Sequence, residues 1–342
     1  MKNCIKIALV IIGALIGAGF ASGQEIYLFF FSYGKRGILG IGVSAILLGI
    51  IIYKTMIIIK KNKITTYKEF LLSIVPKKWR KEKVLEIINI IINIFILITF
   101  YIMIAGFGGY LAETIKIPQI IGSSILAIMC VIIMSKETKG IVKVSEIIVP
   151  ILIVFIVVIG VYTVISTNVA NKIEQMNIIN GSSWLVSGVL YASYNTILLI
   201  PVLISVNNII DRREVSKTSI VITFMIFLLA TAVFVSMLKI DVNIKRIEMP
   251  ISYVISTQLP KLKVLYGIVI LTSILTTAIS LIAGLMQNVK EKNNKKIMLC
   301  LICISSIFIS QIGFSALINF LYPIFGYIGI IQILLIAIFS IL

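Results

Sequence analysis

Charged residues along this chain fall in clusters, and the stretches between the clusters are long and apolar. Residues 7–24 carry no charge, and after Glu25 neither do residues 26–34. Further uncharged runs occupy 37–53, 87–112, 117–135, 147–171, 175–210, 218–238, 264–289 and 297–342. A membrane-crossing helix needs about 20 mostly apolar residues, so the final run has room for two, with a turn around Gln311 to Asn319. The pattern predicts ten helices, at 5–31, 38–59, 84–112, 117–134, 141–166, 182–208, 215–239, 262–289, 296–314 and 320–341. The expected fold is an all-α polytopic membrane protein, one membrane domain over 1–342.

Composition supports this reading. Of the 342 residues, 60% are hydrophobic and only 13% charged, and the mean hydropathy is +1.14. A soluble domain cannot hide that much apolar surface. A soluble enzyme, a disordered chain and a secreted disulfide scaffold are therefore excluded. Lys2 and Lys6 ahead of an apolar run ending in Ala21-Ser22-Gly23 imitate a cleavable signal. The apolar pattern resumes after Glu25, however, and nine further spans follow, so the first span is expected to stay.

The net charge of +18 changes meaning in this setting. It is scattered over the loops between spans, which argues against nucleic acid. With ten spans and the N-terminus inside, inward segments carry 22 of the 31 Lys and Arg. That asymmetry places both termini in the cytoplasm of a multi-pass cell-membrane protein. The basic loop 54–83 holds ten of these charges. It is expected to contain a surface helix, Tyr67 to Val75, on the inner leaflet, where anionic lipid is the natural partner.

Chemistry-bearing residues are few. There is no histidine, and the four cysteines include one C-x-x-C, Cys300 and Cys303, inside an apolar run without a second pair. A metal centre, a thiol centre and a Ser-His-Asp scheme have no partners to work with. No cofactor and no enzymatic activity are expected.

Polar residues inside the spans carry the remaining signal. The first span reads I-I-G-A-L-I-G-A-G-F-A-S-G-Q-E, with Gly13, Gly17, Gly19 and Gly23. One reading is a small-residue packing face, since Gly13 and Gly17 form G-x-x-x-G. The other is a broken helix whose freed N–H and C=O groups meet a solute or ion. Glu25 is either a proton- or amine-binding group inside the membrane, or a vestibule carboxylate paired with Lys35 or Arg36. Span 6 repeats the theme: Gly181-Ser182-Ser183-Trp184, then Gly188, then Tyr191-Ala192-Ser193-Tyr194-Asn195-Thr196 and Pro201. Interrupted helices at matching places in two halves point to a transporter site. In span 8, Ser273, Thr276, Thr277 and Ser280 share one face, a set of hard oxygens suited to a small cation. Span 3 offers Asn89, Asn93, Thr99 and Tyr101 ahead of Gly106-Phe107-Gly108-Gly109; Tyr101 is a candidate to close over a solute.

The string G-A-G-F-A-S-G-Q-E resembles the amino acid–polyamine–organocation superfamily, and within it the YkvI-like group of bacterial membrane proteins. Weaker similarity to neurotransmitter:sodium symporters lies in the segment Lys139 to Pro150, in Trp184 and the polar centre after it, in Leu275-Thr276-Thr277 and in Tyr101. The resemblance implies a LeuT-like fold, a 5+5 inverted repeat with helices 1 and 6 broken, the repeats spanning about 5–166 and 182–341. It implies that Gly17, Ala18 and Gly19 face a solute carboxylate, with Glu25, Tyr101, Tyr191, Ser193, Tyr194 and Asn195 around the solute. It also implies a sodium site from the carbonyls of Gly13 and Ile16 with Ser273, Thr276 and Thr277. Phe20 replaces the asparagine of a second sodium site, and Gly23 an arginine of the outer gate. Lys143 is the nearest candidate for the lysine of proton-coupled relatives, but it lies at the shallow start of its helix.

The function expected on these grounds is sodium-coupled alternating access for a small organic solute, an amino acid or related zwitterion. Spans 1, 2, 6 and 7 would move against the rest. The alternatives are proton coupling through Glu25, or a non-transporting membrane sensor or scaffold.

Overall fold

In a computed structural model of the chain, the described residues are 2–76, 82–135, 141–176, 183–207, 211–240, 244, 247–287 and 292–339. They include fifteen α-helices. The first span is in pieces: α1 (Lys2–Leu15), α2 (Ala18–Ser22) and α3 (Gln24–Phe29). Then come α4 (Arg36–Asn62), α5 (Tyr67–Ile74), α6 (Glu82–Ile115), α7 (Gln119–Ser135), α8 (Ile141–Ser166) and α9 (Val169–Glu174). The second half holds α10 (Trp184–Ser205), α11 (Val215–Ser236), α12 (Pro250–Gln258), α13 (Lys263–Gln287), α14 (Lys292–Ile309) and α15 (Phe314–Phe339).

Among the described residues, eight helices are long and apolar enough to cross a membrane. The two remaining predicted spans are the divided α1–α3 and the shorter α7. The faces of these helices invert the soluble pattern. Leu39, Ile46, Val154, Ile165 and Phe224 point outward, where lipid would receive them. Ser22, Gln24, Glu25, Ser193, Asn195 and Thr196 are buried.

The breaks in the first span have distinct causes. Leu15 ends α1 and Gly17 is extended, at φ −77 and ψ −176, so the chain leaves helical geometry for two residues. Gly23 ends α2 in the left-handed region at φ +88, a conformation that only glycine adopts without strain. Its N–H closes on Phe20 O, and α3 restarts with Tyr27 N–H donating to Gly23 O.

The sixth span corrects the expectation of a second broken helix: α10 runs unbroken from Trp184 to Ser205 with Pro201 inside it. Its polar side chains turn back on their own backbone. Ser193 donates to Val189 O at 2.7 Å, Asn195 to Tyr191 O at 2.9 Å and Thr196 to Ala192 O at 2.8 Å. Each is satisfied one turn back along the helix, so none needs the ladder to open. Gly181 and Ser182 lie outside the described residues.

The helix α10 is the most enclosed span, held between α4 and α15 and touching α1. Close approach makes this possible. A Cβ on Gly188 would sit 2.8 Å from Gly40 O of α4, and one on Gly329 of α15 would sit 2.2 Å from Ser193 O. The helices α1 and α4 each pack on both α10 and α11. A second group forms around α13, which packs on α6, α7 and α8, with α14 on α7 and α6.

The surface helix α5 starts at a capping box, Thr66 with Glu69. Its apolar face does not lie on lipid as expected. Phe70, Leu71 and Ile74 are buried where α5 meets α4, α10 and α15, and Gln332 of α15 donates to Tyr67 Oη at 2.9 Å.

Candidate functional site

The interruption of the first span creates the polar centre. A helix ending at Leu15 and another starting at Ala18 leave the last carbonyls of one and the first N–H groups of the other without partners in their helices. Gly17, Ala18 and Gly19 stand at this junction, with the carbonyls of Gly13 and Ile16 on its other side. Ser22 Oγ donates to Gly19 O at 3.0 Å and accepts from Gln24 N–H at 3.3 Å. From α13, Tyr266 Oη donates to Ala21 O at 2.8 Å, tying α2 to the second helix group.

Glu25 turns back over this junction. A Cβ added to Gly19 would lie 2.2 Å from Glu25 Oε1, so the glycine provides the space in which the carboxylate rests. The residue is 4% exposed, which excludes the vestibule pairing; Lys35 and Arg36 are exposed. Its bonded partner is Tyr194, whose Oη donates to Oε2. No Lys, Arg or second acid occurs in 7–34, 184–205 or 314–339 besides Glu25. The carboxylate therefore has no countercharge within residues 7–34, on α10 or on α15. An uncompensated buried charge costs several kcal/mol, roughly, and is met by a proton, a cation or water.

Aromatic rings complete the surroundings. Phe29 and Tyr194 stack at 5.5 Å, Tyr191 and Tyr194 meet edge-on at 5.5 Å, and Tyr322 of α15 lies 4.8 Å from Tyr194. Beside Tyr191 is a cavity of about 10 Å³ with an apolar lining that includes Ile12, Leu15, Phe20, Leu48 and Ile226. That is room for about one water.

The other expected site residues fall into two sets. Tyr194 bonds Glu25 and Tyr191 packs edge-on against Tyr194, whereas Asn195 is turned back on the backbone of its own helix. Ser193 is turned toward α15, where its backbone meets Gly329. Tyr101 does not reach the centre: its hydroxyl bonds Ser305 of α14 at 2.9 Å, linking α6 to α14. Of the proposed cation ligands, Gly13 faces Val149 of α8, 3.0 Å from an added Cβ. Ser273 and Thr276 are buried and Thr277 is half-buried. Thr276 donates to Ser273 O at 3.0 Å. The side chain of Lys143 lies outside the described residues.

Sequence reading missed Tyr322, which sits in a long apolar run with only Pro323 to mark it. It also missed two acids near the ends of spans. Glu113, late in α6, accepts from Met249 N–H at 3.2 Å, ahead of α12. Glu248 accepts from Ser315 N–H at 2.8 Å at the start of α15, where its charge suits the helix end. Burial pushes the Glu248 carboxyl above the usual carboxylate range, against the opposing pull of the Ser315 and Phe314 N–H groups. Gly313, at φ +99, leaves 3.1 Å between an added Cβ and Glu248 Oε1. The only signal for this pair was acids directly beside uncharged runs.

No protein-family model matches the chain. It is 27% identical over 328 residues to the uncharacterized membrane protein YkvI of Bacillus subtilis (strain 168), covering 95% of this chain and 92% of that protein. It is 25% identical over 342 residues to the uncharacterized protein YyaD of the same organism, covering 99% and 97%. Among solved structures it is similar to Mhp1, a nucleobase-cation-symport-1 family transporter, in a closed conformation with bromovinylhydantoin bound. That similarity has a TM-score of 0.48 and 12% identity, over 96% of this chain and 71% of Mhp1.

Proposed function

We propose that the protein is a secondary active transporter of a small organic solute, with Glu25 as the group that couples solute movement to protons. The observation that carries the reading is a buried carboxylate whose bonded partner among the described residues is a tyrosine of the neighbouring span, set at a break in a membrane span. Such a group changes its charge when it opens to water on one side or the other. Differential proton affinity between two open states is what drives alternating access. In this reading α1, α4, α10 and α11 move against the α13 group, and segments 5–166 and 182–341 are inverted repeats with both termini cytoplasmic.

The experiment is proton flux in proteoliposomes under an imposed pH gradient, with solute pools added. Solute-dependent flux that is lost in Glu25→Gln supports the reading. Flux unchanged by that substitution would refute it.

One observation favours a second reading, sodium coupling through the Gly13 and Ile16 carbonyls with Ser273, Thr276 and Thr277. The Thr276 hydroxyl spends its proton on Ser273 O, which leaves oxygen lone pairs for a cation. Its test is the thermal midpoint in sodium against potassium at matched ionic strength. A sodium-specific rise absent from Thr276→Ala/Thr277→Ala would select it. The solute expected with sodium is an amino acid or related zwitterion, and the basic loop 54–83 would meet anionic lipid.

A further inference from the structure

We propose that α5 is a releasable strap: docked, it holds α15 to α4 and α10 at the end of the bundle where those three helices finish, and undocked it lets α15 part from them there. This deepens the transport reading above and rests on it for the work that the movement does.

The three helices run in one direction. Leu190 and Ser193 of α10 meet Gly326 and Gly329 of α15, and Gly188 of α10 meets Gly40 of α4. At these levels backbone lies close to backbone, and no side chain stands between the helices to swing aside. Toward the helix ends the ties are of another kind. Lys54 Nζ of α4 donates to Ala337 O in the last turn of α15 at 3.3 Å, and Lys60 Nζ donates to Asn207 O just past α10. Both acceptors are carbonyls at helix C-termini, where a cation is favoured. Bonds through long lysine side chains break without any change in the helices that carry them.

The helix α5 closes the same end. It meets α4, α10 and α15 at once, and its Phe70, Leu71 and Ile74 are buried there. Its polar tie to α15 is the bond from Gln332 Nε2 to Tyr67 Oη at 2.9 Å. Residues 328–339 are otherwise apolar, so Gln332 is the one side chain of that stretch able to make such a bond.

Two features make α5 separable. Its first turn is satisfied within the segment itself. Glu69 takes the N–H groups of Thr65 at 2.7 Å and Thr66 at 3.3 Å, and Thr66 Oγ1 takes that of Glu69 at 3.2 Å. Undocking therefore costs these N–H groups no partner in the bundle. The chain also has a fixed turning point ahead of the helix. Lys63 closes α4 in the left-handed region at φ +51, with Ile64 N–H on Ile59 O at 3.0 Å, and Ile64 is buried. The turn stays with α4, and α5 swings beyond it. What holds α5 down is the burial of a few apolar side chains and a hydrogen bond to α15, a set that docks the helix and still releases it.

The test uses the full-length protein. A helix of eight residues is marginal once alone in water, so amide exchange at 67–74 reports docking. Phe70→Ala empties the site of a fully buried ring, and exchange at 67–74 should rise by about tenfold or more. Exchange at 333–338 of α15 should rise with it, and exchange at 40–52 of α4 should not. A second arm locks the strap. Tyr67→Cys and Gln332→Cys are joined by a short, reducible bis-methanethiosulfonate linker, with each of the four native cysteines replaced by alanine. Solute-dependent proton flux in proteoliposomes should stop when the link forms and return on reduction, while each single-cysteine variant treated with the linker keeps its flux.

Flux unchanged by a complete link would overturn the proposal. So would exchange in α15 that stays slow in Phe70→Ala while α5 exchanges freely, because the strap would then hold nothing. If the unlinked protein shows no flux with any solute pool, the transport reading fails, and exchange in α15 alone decides the strap. If Phe70→Ala does not fold, Gln332→Leu serves. It keeps apolar packing and removes the bond, so exchange at 67–74 should rise about two- to tenfold, and unchanged exchange there would overturn the proposal as well.

Discussion

Replacing Gly19 by alanine separates the two readings of the glycine-rich first span, because Gly17 provides an internal control two residues away. Gly19 lies inside α2, so alanine adopts its backbone without strain. The obstacle is the Glu25 side chain, with Oε1 at 2.2 Å and Cδ and Cγ at 2.9 Å from the added Cβ. The carboxylate must leave its place, and its bond to Tyr194 goes with it. Overpacking of a buried site costs about 1–3 kcal/mol, and a lost buried hydrogen bond to a charged group about 1–3 kcal/mol more. Alanine's better helix propensity returns up to about 1 kcal/mol. The net expectation is a loss of about 1–6 kcal/mol. Gly17 has nothing within 4 Å of an added Cβ, and its φ of −77 suits any residue. Gly17→Ala should be neutral or stabilise by about 0.4–1 kcal/mol, by restricting the unfolded chain. The assay is the thermal midpoint of each variant in detergent, with Gly19→Ala repeated in a Glu25→Ala background. Shortening residue 25 opens the space, so most of the cost of Gly19→Ala should disappear there. Equal costs in both backgrounds, or a Gly17→Ala as damaging as Gly19→Ala, would refute the argument.

Three further outcomes are expected. Gly329→Ala places a methyl 2.2 Å from Ser193 O and 2.5 Å from its carbonyl carbon. Backbone cannot yield as a side chain can, so α10 and α15 must part, at about 3 kcal/mol or more, read as a large drop in midpoint. Glu248→Gln tests the buried acid at the start of α15. A carboxyl raised by burial stabilises the fold below its unfolded value, near about 4.3, and that contribution is lost as pH rises through the folded value. The wild-type midpoint should therefore fall relative to Glu248→Gln as pH rises; parallel profiles would contradict the raised carboxyl. Thr66→Ala removes the cap that receives Glu69 N–H at 3.2 Å. It should cost about 1 kcal/mol, local to α5, seen as faster amide exchange at the start of that helix with little change elsewhere.

The spans were legible because each signal is local. About 20 apolar residues between charges make a membrane helix wherever they occur. The predicted fifth span, 141–166, has the bounds of α8 (Ile141–Ser166), and the others lie within several residues of α4, α6, α7, α10, α11, α13, α14 and α15. The break in the first span was legible too, since Gly17 and Gly23 stand at the two interruptions. The same reasoning failed at span 6. A polar cluster followed by proline looks like a break, yet Ser193, Asn195 and Thr196 bond their own helix. Residue type alone does not distinguish a side chain that opens the ladder from one that folds back on it. Tyr101 failed for a related reason. Its place in span 3 was visible, but the rotation of α6 that gives its hydroxyl to Ser305 depends on how α14 packs.

The sequence by itself determined that the chain is built of long apolar helices, the rough bounds of those helices, and the identity of its one acid deep in the first span. Those follow from composition and spacing, which act over a few turns of helix. Only the tertiary structure decided what surrounds that acid. Glu25 gains its meaning from Gly19, which makes room for it, and from Tyr194, 169 positions away, which bonds it. Tyr322 joins them from α15. Those neighbours are brought together by the close contact of α10 with α4 and α15 at Gly188, Gly40 and Gly329. Packing between helices depends on which faces meet, and no local pattern encodes that.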